Sequence, residues 1–284
     1  MTRTLDQAFN WTLASNARNR LTNIYEPIQP YLLVEFARHL DCSVFVDIGA
    51  NIGFYSVIMS SELEALTIYA YEPMPQAYKE LQENLALNAL SDRSLVRKVA
   101  LSSQVGEAEM LVVSNLSGAN AIRDTSYNKE NSSLKTERVP ISTLDEELSL
   151  TGQNVSMKID VEGHEAEVLR GGRRFLQENT CIIQFESLSK DSYHEDCIDI
   201  LTSLGYRELI AVGPDHYFSN MSFNARDVTS WVSNALSRFV EDSKKPSLSS
   251  TNQPIRRRIF RGVTVELSSG LSRRLKKLFQ RNST

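Results

Sequence analysis

From residue 44 onward, short apolar runs rich in β-branched and aromatic residues alternate with stretches whose apolar positions recur every three or four residues. The first kind of run predicts buried strands and the second predicts helices, so the alternation predicts βαβ units around a parallel sheet. VFVDIGA (44–50) is a buried strand ending in a turn, and NIGFYSVIMS opens a helix. TIYAYEP (67–73) is a second strand, closed by Pro73; the helix after it carries Tyr78, Leu81 and Leu85 at helical spacing, with Pro75 at its start. LVRKVALSS (95–103), VSMKIDVEG (155–163) and CIIQFES (181–187) read as the third, fourth and fifth strands. The fourth leads into a helix whose inner face is Val168, Leu169, Gly172, Phe175 and Leu176. A helix at about 191–204 ends at Gly205, and RELIAVG and HYFSNMS form a final pair of strands.

Three segments fall outside this alternation and divide the chain. Residues 1–43 suggest a cap of two helices, the second ending near His39, with Trp11 and Tyr25 as aromatic candidates for acceptor contacts. Residues 44–225 form the α/β domain. Within them, 114–136 is polar and reads as a long mobile loop, a candidate lid. Residues 226–284 combine a helix, the Ser/Pro linker 244–254 and a basic tail.

Charge sharpens this division. From Pro254 onward there are nine basic residues and one acid, Glu266, a balance of +8; the net charge of -4 therefore leaves -12 on residues 1–253. An acidic body argues against nucleic-acid binding. In the tail, Leu271, Leu275, Leu278 and Phe279 share one helical face and the basic residues the other, a pattern suited to an anionic membrane surface or a partner. Cys42, Cys181 and Cys197 are few, odd in number and without metal-like spacing, which fits a reducing compartment. No apolar run approaches the roughly 18 residues of a membrane span, and MTRTLDQAFNWTL lacks a signal-peptide pattern. The expected location is cytoplasmic, with the tail able to lie at the inner face of the membrane.

The strongest local signal is Asp47-Ile48-Gly49-Ala50-Asn51-Ile52-Gly53 between a buried strand and a helix. Glycines there let backbone amides approach a ligand, and Glu72 ends the next strand, where an α/β nucleotide site places a carboxylate on ribose hydroxyls. The spacing is GxxxG and not GxGxxG, so a ligand with adenosine but no phosphates fits better than a dinucleotide. S-adenosylmethionine is such a ligand, with Asp47 available to its positive end. A second constellation, Lys158-Ile159-Asp160-Val161-Glu162-Gly163-His164-Glu165, puts carboxylates and an imidazole at the carboxyl end of the fourth strand, where open sheets bind ligands. Glu186 adds an acid on the same rim.

VFVDIGANIGFYS, YAYEP, KIDVEGHEAEVLRGG and IIQFES, in that order, resemble the FkbM family of S-adenosylmethionine-dependent methyltransferases over roughly residues 40–215. The resemblance implies an α/β, Rossmann-like class I methyltransferase fold: a three-layer sandwich around a mostly parallel seven-stranded sheet with an antiparallel last strand. It implies methylation of hydroxyls on glycans, glycolipids or secondary metabolites. It also assigns Asp47, Gly49, Asn51, Gly53 and Glu72 to the cofactor, with Ser102 near adenine. Asp160, Glu162, Gly163 and His164 fall at the reaction end.

Methyl transfer to a neutral hydroxyl needs its proton removed as attack proceeds, and a positioned base contributes about 10²–10⁴-fold. His164 suits that role by its ordinary pKa; Asp160 or Glu162 are the other candidates. A divalent metal bridging Asp160 and Glu186 would suit hard oxygen ligands, but rim carboxylates are more often hydrogen-bonded and none is expected. The alternatives are a non-catalytic adaptor tethered by its tail and, less favoured without GxGxxG, a nicotinamide-dependent oxidoreductase.

Overall fold

The structure is a computed structural model that describes residues 26–112, 120–123, 135–187, 192–243 and 265–266. Trp11, Tyr25, the first cap helix, most of the 114–136 segment, the 244–254 linker and the 271–279 helix lie outside the described residues.

The elements, in chain order, begin with α1 Gln29–His39, β1 Val44–Ile48, α2 Phe54–Glu62, β2 Thr67–Tyr71, α3 Pro75–Leu87, β3 Ser94–Arg97, β4 Ala100–Leu101, β5 Gly106–Val112, β6 Ala121–Ile122 and β7 Lys135–Ser142. They continue with α4 Leu144–Glu147, β8 Asn154–Ile159, α5 Glu165–Gly171, α6 Arg173–Glu178, β9 Thr180–Glu186, α7 Ser192–Ser203, β10 Arg207–Val212, β11 Asp215–Ser219, α8 Ala225–Ser243 and β12 Val265–Glu266. The main sheet has the order β12-β10-β11-β9-β8-β1-β2-β3. Its core, β3-β2-β1-β8-β9, is parallel, and β11 enters antiparallel between β9 and β10. β1 is buried at every position and β9 at all but its ends, as expected of strands covered on both faces. One apolar layer joins α1, α2, α3 and α8 to the sheet; the other packs α5, α6 and α7 on the opposite face. This is the class I α/β sandwich.

The structure corrects the reading of several segments. The expected third strand, 95–103, breaks at Lys98. β3 stays in the main sheet, while β4 joins a second sheet of order β4-β7-β5-β6. Residues 106–112 and 135–142, unassigned or read as loop, are its long strands: the outward glutamates at 107 and 109 alternate with Ala108 and Met110, which turn inward on a separate small core. Ala121 and Ile122, inside the expected loop, pair with β5. The helix after β8 is two helices with a break at Gly172, where an added Cβ would lie 2.8 Å from Leu144 Cδ2. The two-residue β12 pairs with β10 and makes eight strands where seven were expected. α8, assigned to the C-terminal extension, packs along α1, with Trp231 stacked on His39 at 4.5 Å. Among the described residues, no helix is long and apolar enough to cross a membrane.

Candidate active site

The turn after β1 is built by backbone geometry. Gly49 and Gly53 hold φ of 78° and 85°, and Asn51 holds 49°, the left-handed region that favours glycine and tolerates asparagine. Gly49 and Ala50 donate their N–H groups to the Tyr71 carbonyl at 3.0 Å each, tying the turn to β2. At Gly49 a Cβ would fall 1.9 Å from the Asp160 carbonyl oxygen, while Asp160 N donates to Ile48 O at 3.0 Å. Only glycine lets the turns after β1 and β8 meet this closely. A Cβ at Gly53 would meet Leu81 at 2.6 Å, so this glycine serves helix packing.

Glu72 is buried, and its two oxygens accept the Asn51 N–H at 2.9 Å and the Met74 N–H at 2.8 Å. Asp47 does not face the ligand space. Its carboxylate accepts the Ser56 N–H at 3.1 Å and hydroxyl at 2.6 Å, clamping β1 to the first turn of α2. Burial pushes Asp47 up to about 6, against the lowering effect of those Ser56 bonds.

Above these turns opens a cavity of about 530 Å³, counting its mouth. Gly49, Asn51 and Glu72 line one side and Asp160 and His164 another. Apolar groups of the second sheet, including Leu101, Met110 and Ile122, close it. A buried carboxylate beside apolar walls fits an adenosine-bearing ligand: the acid can accept from ribose hydroxyls and the apolar side can cover a base. Asn120 and Ile122 of the former loop are wall residues that sequence reading missed; the one hint was an apolar pair in a polar stretch.

His164 stands on this side of the site. One ring nitrogen, Nε2, lies 2.9 Å from Ser102 Oγ in a buried pair. Ser102 meets the cavity through His164, since it is not itself a wall residue. Gly171 permits the arrangement, as a Cβ there would lie 1.9 Å from the Ser102 carbonyl oxygen.

Asp160 also borders a second, acidic region. Strand alternation and register put Lys158, Gln184, Glu186, Asp215 and Tyr217 on one face: Lys158 pairs with Gln184, and β11 places Asp215 beside Glu186 and Tyr217 beside Gln184. The buried Lys158 ammonium lies 3.4 Å from Asp215, 3.6 Å from Asp160 and 3.6 Å from Glu26, and 5.1 Å from the centre of the Tyr55 ring. Gln29 and Gln184 donate to Asp215 at 3.1 and 2.7 Å. Gln184 also donates to the Tyr55 hydroxyl at 2.9 Å, and that hydroxyl bonds Glu26. Burial pushes Glu26 up to about 7, opposed by Lys158 and reinforced by Asp215 and Asp160. Glu186 rises to about 9 through burial and then Asp160.

Glu162 lies in the turn between β8 and α5 at φ 57°, and burial followed by Asp160 and Glu165 pushes it up to about 7. Glu165 is a brace for that turn, accepting from Val161 N at 3.1 Å and Gly163 N at 3.2 Å. Thus Asp160 and Glu186 meet in one cluster. His164 pairs instead with Ser102, and Glu26, Tyr55, Gln184 and Asp215 are partners that sequence reading did not find.

The family model described as the methyltransferase FkbM domain matches residues 47–208. Methyltransferase sdnD of Sordaria araneosa is 30% identical over 152 residues, covering 44% of this chain and 59% of that protein. Hexuronic acid methyltransferase AglP of Haloferax volcanii is 31% identical over 156 residues, covering 54% and 58%. Each match therefore spans less than two thirds of the relative's length. The crystal structure of methyltransferase FkbM from Methylobacillus flagellatus is similar with a TM-score of 0.47 and 16% identity, covering 76% of this chain and 56% of that one.

Proposed function

Because the chain belongs to the FkbM methyltransferase family, whose members use S-adenosylmethionine, we propose that it methylates a hydroxyl of a sugar, in a glycan, glycolipid or secondary metabolite. The observation that carries this reading is the position of Asp160. Its residue lines the cavity that fits the cofactor and its carboxylate belongs to the acidic cluster beyond. A group reaching the cavity from the acidic side meets carboxylates, which are acceptors suited to hydroxyl hydrogens. AglP is named for a hexuronic acid, which agrees with a sugar acceptor.

When bound, the cofactor supplies an electrophilic methyl on a sulfonium that departs as a neutral thioether. Glu72 holds the ribose hydroxyls, and Gly49 and Asn51 present the turn against the cofactor's body. His164, paired with Ser102, braces the cavity wall. Asp160 and Glu162 orient the acceptor hydroxyl and receive its proton as its oxygen attacks. The Ser102 bond engages His164 Nε2 and favours the carboxylates as base.

Calorimetry with S-adenosylmethionine and labelled-methyl transfer to a panel of sugars tests the reading. Glu72→Ala should weaken cofactor binding by roughly tenfold or more, the scale of a hydrogen bond to a charged group. Glu162→Gln should leave that binding intact and lower kcat by about 10²–10⁴. Folded protein with no saturable cofactor binding would end the proposal.

A further inference from the structure

The acidic cluster gathers four carboxyl groups and, among the described residues, one ammonium. Glu26, Asp160, Glu186 and Asp215 surround one ammonium, Lys158. Its contacts of 3.4–3.6 Å are ion-pair distances, longer than the roughly 2.7–2.9 Å of a charge-assisted hydrogen bond, so much of the carboxylates' accepting capacity lies elsewhere. Burying several carboxyl groups together is costly unless each is paired, hydrogen-bonded or protonated.

One oxygen from each of Glu26, Asp160 and Glu186 can be chosen so that all three lie within 4.8 Å of one another. Opposite ligands of a cation at about 2.0–2.6 Å are about 4–5 Å apart, so one ion can touch all three. A second observation points the same way. Gln184 is wholly buried on the strand face that carries Lys158, Glu186 and Asp215, its nitrogen spent on Tyr55 and Asp215; its Oε1 has no hydrogen-bond partner among the described residues. An orphaned buried carbonyl is uncommon, and a carboxamide oxygen is an ordinary neutral ligand for a hard cation, direct or through water.

We infer that Glu26, Asp160 and Glu186, with Gln184 behind them, form a site for one divalent cation of the magnesium or manganese type. The donors are all oxygen, with no histidine or cysteine among them, which disfavours zinc. The site adjoins the cavity through Asp160, so the ion can hold an acceptor oxygen and lower the pKa of its hydroxyl. With Asp160 engaged by the ion, Glu162 is the carboxylate left to take the proton: the O–H bond breaks to Glu162 as the O–CH₃ bond forms and the S–CH₃ bond breaks. The ion would also let an acidic wall accept an anionic sugar such as a uronate. That role rests on the methyltransferase reading above; the ion site itself does not.

The test is titration of the full chain with MnCl₂, followed by the loss of the free-ion paramagnetic resonance signal, with MgCl₂ as competitor. One saturable site per chain is expected, displaced by magnesium. Glu186→Gln and, separately, Glu26→Gln should weaken it by about ten- to a hundredfold, while each variant still binds S-adenosylmethionine as wild type does. No saturable manganese binding by folded protein would overturn the inference, and so would binding that neither variant changes. Failure of cofactor binding with manganese binding intact would instead count against the proposed function alone.

Discussion

The two halves of the site are built in opposite ways. The cofactor half is a matter of backbone: two left-handed glycines, an asparagine, and a glutamate held by two amide N–H groups. The turn and its glutamate lie within 24 positions, Gly49 to Glu72. The acidic half is a matter of side chains, drawn from positions 26, 55, 158, 160, 184, 186 and 215. A turn that must pass close to a ligand has few sequence solutions and so leaves a motif. A buried charge network can be assembled from any positions that the sheet brings together, and leaves none.

The largest effect should come from breaking the seam between the halves. Gly49→Ala introduces a Cβ into the Asp160 carbonyl at a φ that alanine resists; about 4 kcal/mol or more of stability should be lost, read by urea denaturation. A well-folded variant with wild-type cofactor affinity would mean that the seam is not as tight as drawn.

Lys158→Met attacks only the acidic half. It strands buried carboxylates without their ammonium, and losing one partner of a buried ion pair costs about 3–5 kcal/mol. The protein that remains folded should still bind S-adenosylmethionine, because Glu72 and its amide donors are untouched. Parallel loss of both would merge the two halves into one unit.

The smallest effect sharpens the reading of Asp47 as a clamp. Its folded pKa, about 6, exceeds the ordinary 3.8. Below pH 3.8 both states are protonated and the group is neutral to stability. As pH rises towards 6 the unfolded chain ionises first, so the folded state loses stability, on the order of 3 kcal/mol in all; above 6 the loss is complete. Compared with Asp47→Asn across pH 4–7, the wild type should therefore lose stability relative to the variant as pH rises. A flat difference would show Asp47 to be solvated.

Much of this protein was determined locally. The alternation of runs 44–50, 67–73, 155–163 and 181–187 with helical stretches sets the parallel core, since strands covered on both faces must be apolar throughout. The DIGANIG turn and Glu72 follow from what backbone and ligand demand of neighbouring residues. Tertiary structure decided the rest. Residues 95–103 read as one strand in sequence, yet they divide between two sheets because Ala100 and Leu101 find partners in 135–142. His164 is an exposed-looking polar residue in a motif, yet it is buried against Ser102, 62 positions away. Lys158 reads as one face of a strand, but its partners Glu26 and Asp215 are set by α1 and β11 closing over that face. Local propensity and turn geometry act within a few residues, whereas burial and charge compensation depend on whichever distant segments the fold brings together.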